Sequence, residues 1–246
     1  NESAVASVDG CGDFASGAWG RANGSTIDIM SRVHYPHSLG VFYQAMTQWL
    51  GFPFYGDEYK VMGLAPYGEP RHTSKIHELV RLFPDGKYEL NQDFFAVKDG
   101  IEYTWSGGQP EFGPLYSPVL GPARDKDDPL EQFHKDVARS VQEVFEDAYF
   151  NLLNALHAVV PSPHLCLAGG CAMNSVANGK VYDRTPFTSM YLPAAAGDAG
   201  GAVGTALLIS EELGESVERP IMGAYLGPGF SRDSLQETMT RFDVEL

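Results

Sequence analysis

The sequence is poor in cysteine and in positive charge. Its 246 residues include three cysteines, Cys11, Cys166 and Cys171, an odd number without any Cys-x-x-Cys pair. A disulfide framework is therefore not expected, and we predict a reducing, cytoplasmic location. Lysine and arginine total 17 against 32 acidic residues, which gives a formal net charge of −15. Because no basic cluster is present to neutralise phosphates, the sequence does not indicate a nucleic-acid-binding protein.

Long hydrophobic runs are also missing. The longest nearly apolar stretch, residues 199–209, holds eleven residues, whereas a membrane-spanning helix needs about 20. The sequence therefore predicts no membrane span, and the start of the chain shows no basic region followed by an apolar run that would indicate a signal peptide. Hydrophobic residues nevertheless make up 43% of the chain, enough for a globular core. The acidic surface suits a cationic substrate or a metal.

Local patterns in the first fifty residues predict three strands and a helix. Residues 4–9 form a short strand, and residues 14–33 contain two more, joined at the turn dipeptide Asn23-Gly24. Ser38 is a favourable N-cap for a helix that extends to about Leu50, because the apolar residues after it recur every three or four positions.

The second half of the chain predicts alternating helices and strands. Apolar residues of segment 130–159 recur every three or four positions and predict one long amphipathic helix. A strand at 164–168, a helix, a strand at 188–192 and a helix at about 199–213 follow. Residues 221–246 predict a strand, a Gly-Pro-Gly turn and a final helix capped by a serine.

These elements together indicate a fold class. Three antiparallel strands followed by helix, strand, helix, strand and helix are typical of a ribonuclease-H-like α/β layer, the half-unit of the actin and sugar-kinase fold. Residues 66–129 are rich in glycine, proline and aromatic residues and are interpreted as an irregular insertion. Within it we predict a helix near 74–82 and short strands near Tyr88 and at 101–105.

Three glycine-bearing loops follow predicted strands, at residues 9–13, 168–174 and 197–204. Ligands of open α/β sheets bind at the ends of strands, and glycines let the backbone approach phosphate oxygens closely. A helix that begins after such a loop adds exposed N–H donors and partial positive charge. The three loops therefore favour a nucleotide-like ligand over the alternative that the glycines only permit tight turns and close packing.

Polar residues of these loops are candidates for ligand contacts. Asp9 and Asp198 would face the same cleft and could bind a divalent cation. Alternatively, Asp198 caps the helix that follows it, for which aspartate is favoured. Asn174 could hold a ribose or a base edge, or it could be a structural amide at the end of a turn.

Two further residues have a functional and a structural interpretation. Lys60 stands among apolar and glycine residues in the run 58–68, where a lone lysine could serve an anion or simply extend to solvent. Cys171 at a predicted helix start could be a nucleophile. A small buried thiol in a tight loop is the favoured interpretation of Cys171.

Five stretches make the sequence similar to the O-carbamoyltransferase family, which includes NodU-type nodulation proteins and antibiotic carbamoyltransferases. They lie in the same order as in that family and together extend over residues 8–204. The stretches are Val8–Asp13, His37–Gly40 with Phe42 and Tyr43, Glu58–Gly68, Ala168–Asn174 and Asp198–Gly204.

The resemblance implies a two-step reaction. In a YrdC-like domain, carbamoyl phosphate and ATP would give carbamoyladenylate, and an actin-like domain would then pass the carbamoyl group to a hydroxyl of a sugar or other natural product. In that family a divalent metal, with Fe²⁺ expected, is held by two histidines of a His-x-x-x-His helix and by two aspartates that match Asp9 and Asp198. The histidine pair is absent from this sequence.

The resemblance also implies roles for the other candidates. Asn174 would bind the nucleotide, Lys60 would offset phosphate charge as a catalytic residue, and Asp13 is a candidate general base. Glycines of the three loops would let backbone amides hold the adenylate. The glycines are Gly10, Gly12, Gly169, Gly170 and Gly200.

The absent histidines imply an organisation in which this chain is one part of a larger enzyme. Residues 1–215 would be the second actin-like subdomain, with the insertion at about 66–129, and residues 216–246 would lead to a downstream YrdC-like domain. The chain alone would then be inactive, because the missing amino-terminal half supplies the rest of the site. An actin-like sugar kinase or ATPase lobe and a non-catalytic nucleotide-binding fragment remain the alternatives.

Overall fold

The computed structural model of the chain describes residues 2–95, 97–98, 102–103, 119–215 and 227–244. Its strands are β1 (Glu2–Gly12), β2 (Ala15–Asn23), β3 (Thr26–His34), β4 (Val80–Leu82), β5 (Tyr88–Leu90), β6 (Val97–Lys98), β7 (Glu102–Tyr103), β8 (His164–Ala168) and β9 (Ser189–Tyr191). Its α-helices are α1 (Leu39–Trp49), α2 (Glu58–Leu64), α3 (Thr73–Ile76), α4 (Gln132–Val159), α5 (Ser175–Asn178), α6 (Val181–Arg184), α7 (Gly200–Glu212) and α8 (Arg232–Arg241).

A five-stranded mixed sheet with the order β3-β2-β1-β8-β9 forms the centre of the fold. β1, β2 and β3 pair antiparallel, whereas β8 runs parallel to β1 and β9 runs parallel to β8. Ala4 lies opposite Leu165 and Ala6 opposite Leu167 in the central parallel pair. The predicted mixed α/β architecture is confirmed, and the ends of β1 and β8 meet at the same edge of the sheet.

The strand and helix predictions near the chain start are confirmed, except that the first strand does not end at Asp9. β1 continues to Gly12, so most of the loop predicted at 9–13 belongs to the irregular end of this strand, where the pairing with β2 shifts register between Val8 and Gly12. The turn between β2 and β3 consists of Gly24 and Ser25, one residue later than predicted, because Asn23 still pairs with Thr26. Helix α1 begins after Ser38, whose side chain accepts a hydrogen bond from the Val41 N–H. The capping serine therefore fixes where the chain turns from the sheet into the helix.

The hydrophobic core lies between one face of the sheet and helices α1 and α4. Alternate β1 residues Ala4, Ala6 and Val8 are buried on this face, as the period of a half-buried strand requires. The predicted long helix is confirmed, but Leu130 lies before it and is exposed. The buried apolar stripe of α4 includes Val137, Val141, Phe145, Ala148, Leu152 and Leu156.

The insertion contains one element that was predicted wrongly. The helix expected at 74–82 is only α3 and a single 3-10 turn, after which Val80–Leu82 form strand β4. This strand pairs with β5, where Val80 lies opposite Leu90. The predicted strand near Tyr88 is confirmed, and part of the one at 101–105 forms β7, but residues 104–118 lie outside the described residues.

Hydrogen bonds from the long helix hold the insertion in place. The buried carboxylate of Asp136 accepts from the Glu69 N–H at 2.9 Å and from the Gln132 side chain at 2.8 Å. These bonds lower the pKa of Asp136, because they stabilise its charged form. The Ser140 hydroxyl accepts from the His72 N–H one turn further along.

The two helices after the sheet match their predictions. Helix α7 occupies most of the predicted segment 199–213, although none of its side chains is buried. Helix α8 begins after Ser231, whose hydroxyl accepts from the Ser234 N–H as predicted. The strand predicted at the start of 221–246 falls on residues outside the described ranges. Among the helices described, none combines the length and the apolar character needed to cross a membrane.

Candidate functional site

A cleft of about 510 Å³ lies at the edge of the sheet where β1 and β8 end. It is lined by the carboxyl-terminal residues of β1, by the segment after β8, by one face of α1, by the start of α2 and by the loop before α7. The lining residues include three acidic ones, Asp9, Glu58 and Asp198, and among the described residues no lysine, arginine or histidine. A second depression on α8 lies apart from the glycine loops. We therefore place the candidate site in the cleft.

Asp9 joins the two central strand ends. Its carboxylate oxygen Oδ1 accepts the N–H of Gly10 at 2.8 Å and the N–H of Gly170 at 3.1 Å. Gly170 belongs to the loop after β8, 161 residues further along the chain. The two hydrogen bonds fix the direction of the carboxylate at the edge of the cleft.

Helix α1 packs directly against the end of β1 that carries Asp9. The Ser38 hydroxyl donates to the Asp9 carbonyl oxygen at 3.0 Å and accepts from the Val41 N–H at 3.1 Å. A Cβ on Gly40 would lie only 2.6 Å from the Gly10 nitrogen. Because Gly40 has no Cβ, the first turn of α1 can approach the backbone of Gly10 more closely than any other residue at position 40 would allow.

Asp198 lines the same cleft from the loop before α7. The residue at the N-cap position of α7 is Ala199, and no side chain caps the helix. The alternative interpretation of Asp198 as a capping residue is therefore not supported, and its exposed carboxylate is available to a ligand. In the ranges described, no group of three or more histidine, cysteine or acidic residues could hold a metal.

Asn174 lines the cleft, but its amide is engaged by the protein. Its side-chain oxygen accepts from the Ala177 N–H at 3.0 Å and so caps α5. Its amide also exchanges two hydrogen bonds with Gln142, at 3.0 and 3.1 Å. Gln142 is held in turn by the Tyr43 hydroxyl at 2.8 Å and by Glu146 at 3.0 Å. This network favours the structural interpretation of Asn174.

The five candidate glycines have three kinds of position. Gly10 and Gly170 line the cleft. Gly169 and Gly200 instead permit close packing, since a Cβ would lie 2.2 Å from the Val8 carbonyl oxygen or 2.1 Å from that of Ala195. Gly12 is exposed and does not line the cleft.

The structure does not bring Lys60 or Asp13 into the cleft. The Lys60 ammonium lies 2.7 Å from the carboxylate of Asp57 and 5.6 Å from the centre of the Phe52 ring. Its hydrogen bond to Asp57 raises the pKa of Lys60. Asp13 is exposed in the turn between β1 and β2, with a positive φ of 50°.

Two cysteines line the cleft, and neither is activated. Cys171 is 8% exposed, and burial raises the pKa of its thiol well above the ordinary value. The interpretation of Cys171 as a buried structural thiol is therefore confirmed, because the thiolate is the nucleophilic form. Burial also raises the pKa of Cys11, although this residue is exposed at the rim.

Sequence reasoning missed four polar or aromatic residues of the cleft: Gln44, Tyr55, Glu58 and Tyr59. Glu58 is partly buried, and burial raises the pKa of its carboxyl group. Gln44 is 8% exposed on α1. It lies roughly opposite the apolar stripe of this helix, where a polar residue is expected, so the sequence carries no signal that would have identified Gln44.

Replacement of Glu58 by glutamine is expected to stabilise the free protein at neutral pH by up to about 1 kcal/mol. The folded-state pKa of Glu58 lies above its ordinary value of 4.5, so folding stability falls as pH rises above about 4.5. The neutral glutamine removes this loss. Urea denaturation at pH 4 and pH 7 measures the effect, which should be present at pH 7 and small at pH 4.

The control for this measurement is Glu89→Gln, because Glu89 is exposed on β5, which belongs to a separate two-stranded sheet, and does not line the cleft. We expect this variant to change the free energy of unfolding equally little at both pH values. A Glu58→Gln protein with no pH-dependent gain over the wild type would contradict the raised pKa.

Comparison with known proteins supports a family assignment. Residues 1–207 match the family model described as carbamoyltransferase N-terminus. The chain is 36% identical over 242 residues to an uncharacterized protein of Synechocystis, covering 96% of this chain and 38% of that protein. It is 34% identical over 238 residues to nodulation protein NolNO of Sinorhizobium fredii and to nodulation protein NolO of Bradyrhizobium diazoefficiens. These matches cover 96% of this chain but 32% and 40% of the relatives.

The chain thus spans well under half the length of these relatives. The residues matched by the family model include every residue that lines the cleft, from Asp9 to Asp198. The chain belongs to the carbamoyltransferase family.

Proposed function

We propose that the chain is part of an O-carbamoyltransferase that carbamoylates a hydroxyl group of a sugar or other natural product. Carbamoyl phosphate is the proposed carbamoyl donor and ATP the proposed source of the adenylyl group. Carbamoyladenylate is the proposed intermediate, formed with release of phosphate and pyrophosphate. The observation that carries this proposal is the cleft, in which Asp9, Asp198 and the backbone of Gly10 and Gly170 come together in a chain of this family.

The proposed architecture is a ribonuclease-H-like layer, one lobe of an actin-like domain. The sheet order β3-β2-β1-β8-β9 supports it, because three antiparallel strands are followed by two that run parallel to the first. We further propose that residues 1–215 form the second actin-like subdomain and that residues 216–246 connect it to a YrdC-like domain. The greater length of the relatives is compatible with such additional segments.

A divalent cation, with Fe²⁺ as the proposed metal, fits the chemistry of the cleft. Asp9 and Asp198 supply carboxylate oxygens, which are suitable ligands for a hard cation. Oδ1 of Asp9 accepts both hydrogen bonds described for this carboxylate, so we propose that the other oxygen, Oδ2, binds the metal. A metal would act as a Lewis acid on a carbamoyl or phosphate oxygen. It would also offset three carboxylates in a cleft whose described lining has no basic residue.

The proposed transfer forms a bond between the acceptor oxygen and the carbamoyl carbon and releases AMP as the leaving group. The acceptor proton must pass to a base, for which Asp13 stays a candidate although it does not line the cleft. Lys60 likewise stays a candidate partner of phosphate, although Asp57 already pairs with it. The roles of Gly12, Gly169 and Gly200 towards the adenylate rest on resemblance, whereas Gly10 and Gly170 lie in the cleft.

Product analysis tests the reaction class. A longer protein that contains this chain and the proposed neighbouring segments would be incubated with ATP, carbamoyl phosphate and a panel of hydroxylated acceptors. Release of AMP together with a carbamoylated acceptor is expected. Release of ADP with a phosphorylated acceptor would indicate the kinase alternative, and ligand binding without any turnover would indicate a non-catalytic fragment.

The 246-residue chain by itself is expected to give no carbamoyl transfer. It supplies two carboxylates to the proposed metal, and no third acidic, histidine or cysteine ligand joins them among the described residues. The same assay measures this, with the longer protein as the positive control. Carbamoylated product formed by the chain alone would contradict the proposal that the site is shared with other segments.

A further inference from the structure

Gln44 is a buried polar residue whose side-chain nitrogen has no partner. It lies on α1, is 8% exposed and lines the cleft. In the part of the chain that the structure describes, Nε2 makes no hydrogen bond. Trp49 also buries a polar atom without a partner among the described residues, but it does not line the cleft.

The polar residues beside Gln44 on the same helix are satisfied. The Tyr43 hydroxyl donates to Gln142 at 2.8 Å, and the Thr47 hydroxyl donates to the Tyr43 carbonyl oxygen at 2.8 Å. Most buried polar groups in proteins are bonded in this way, because an unsatisfied donor away from water is destabilising. The side-chain nitrogen of Gln44 is thus a hydrogen-bond donor on α1 whose acceptor is missing from the described residues of the free protein.

The location of Gln44 restricts what it can bind. It follows Gly40 by four residues and so lies one helical turn, about 6 Å along the axis, beyond the contact between α1 and Gly10. An N–H donor needs an acceptor atom. Because the cleft carries three carboxylates and no described basic residue, a neutral oxygen is favoured over an anionic one.

A second group in the cleft indicates that this oxygen belongs to a hydroxyl-bearing ligand. Glu58 lines the same cleft, and its carboxylate can accept a hydrogen bond from a hydroxyl. A hydroxyl both accepts and donates, so neighbouring hydroxyls of one ring could engage the Gln44 amide and the Glu58 carboxylate. The ribose of a nucleotide and an acceptor sugar share this chemistry.

We propose that Gln44 is a specificity-determining residue whose side-chain amide donates a hydrogen bond to a neutral oxygen of a polyhydroxylated ring bound in the cleft. The inference rests on the proposed function for the choice between a nucleotide and an acceptor. The unpartnered donor itself is an observation independent of that choice.

The test compares Gln44→Met with the wild type in thermal stability and in ligand binding, both in the longer protein that contains this chain and the proposed neighbouring segments. Methionine is similar in length and apolar, so it removes the unpartnered donor while filling the same space. We expect Tm to rise by roughly 2–6 °C. Calorimetry with AMP and, separately, with methyl glucoside is expected to show at least about tenfold weaker binding of one probe. Loss confined to AMP assigns the ribose, and loss confined to methyl glucoside assigns the acceptor.

Thr47→Val is the matched control, because Thr47 is a buried polar residue of the same helix that is already bonded and does not line the cleft. It should not raise Tm and should leave the affinity for both probes unchanged. Gln44→Leu is a second variant should Gln44→Met fold poorly, with the same expectations.

Two outcomes would overturn the inference alone, and a third would overturn the proposed function as well. Equal affinity of the wild type and the Gln44 variants for both probes would show that the amide does not contact the ligand. An unchanged or lower Tm for both variants would show that the donor is satisfied in the free protein. If neither probe binds the wild type, the proposed function of the cleft fails, and the inference fails with it.

Discussion

Replacement of Asp9 by asparagine is expected to slow the proposed carbamoyl transfer by a full-length enzyme roughly 10²- to 10³-fold, with loss of the proposed metal. The expectation follows from the position of the carboxylate, whose Oδ1 is held by the N–H groups of Gly10 and Gly170. Asparagine keeps the shape of the side chain and one oxygen that can accept these bonds. It removes the negative charge that a cation ligand needs, so the fold should persist while the site loses function.

Rate measurements at saturating ATP and carbamoyl phosphate, together with the metal content of the purified protein, test this expectation. The control is Asp28→Asn on β3, an exposed carboxylate that lies 3.2 Å from Arg21 and contributes nothing to the cleft. We expect the control to stay within about twofold of the wild-type rate. An Asp9→Asn enzyme with wild-type rate and metal content would remove Asp9 from the active site, and circular dichroism would show whether any loss reflects unfolding.

The sequence predicted best those helices and strands in which one face is buried along the whole element. The strand at 164–168 and the long helix ending at Val159 were predicted with nearly the bounds observed, since each has a continuous buried face. The helix expected at 74–82 was wrong in its second half. There, Val80 pairs with Leu90 across a hairpin, a contact between residues ten positions apart that helical periodicity cannot represent.

The candidate site was predicted where its residues follow strands. Asp9 and Gly170 could be expected to meet because parallel strands end at the same edge of a sheet. The sequence could not distinguish a glycine that faces a ligand from one that faces a carbonyl oxygen, and Gly200 proves to be of the second kind. Gln44 and Glu58 were missed because their positions depend on how α1 and α2 face the sheet.

The network behind Asn174 could not be predicted for a related reason. Gln142 lies on α4, 32 residues before Asn174, and sequence periodicity places it on the buried face without identifying its partner. Its amide satisfies Asn174 from one side and meets Glu146 from the other. Glu146 is in turn paired with Lys180. Side chains of α4 therefore fix an amide of the cleft that lies about 30 residues later in the chain, and only the packing of α4 against this segment reveals it.

Gly169→Ala is expected to be the most destabilising of the substitutions considered, with a loss of about 3–5 kcal/mol in the free energy of unfolding. Gly169 has a φ of 90°, a conformation that alanine adopts only with strain. The added Cβ would also lie 2.2 Å from the Val8 carbonyl oxygen, an overlap that requires the backbone to move. Thermal denaturation should show a decrease in Tm of roughly 10 °C.

The consequence extends to the site because Gly169 immediately precedes Gly170, whose N–H donates to Asp9. Movement of the loop away from β1 lengthens that hydrogen bond, so the protein that stays folded should bind the proposed metal and the proposed nucleotide more weakly. Gly63→Ala is the matched control, since Gly63 is an exposed residue of α2 whose added Cβ would touch nothing within 4 Å. Alanine there should leave stability unchanged or raise it by about 0.5–1 kcal/mol. Equal stability of the two variants would contradict the strained contact between Gly169 and Val8 and, with it, the account of how β8 positions the backbone of the cleft.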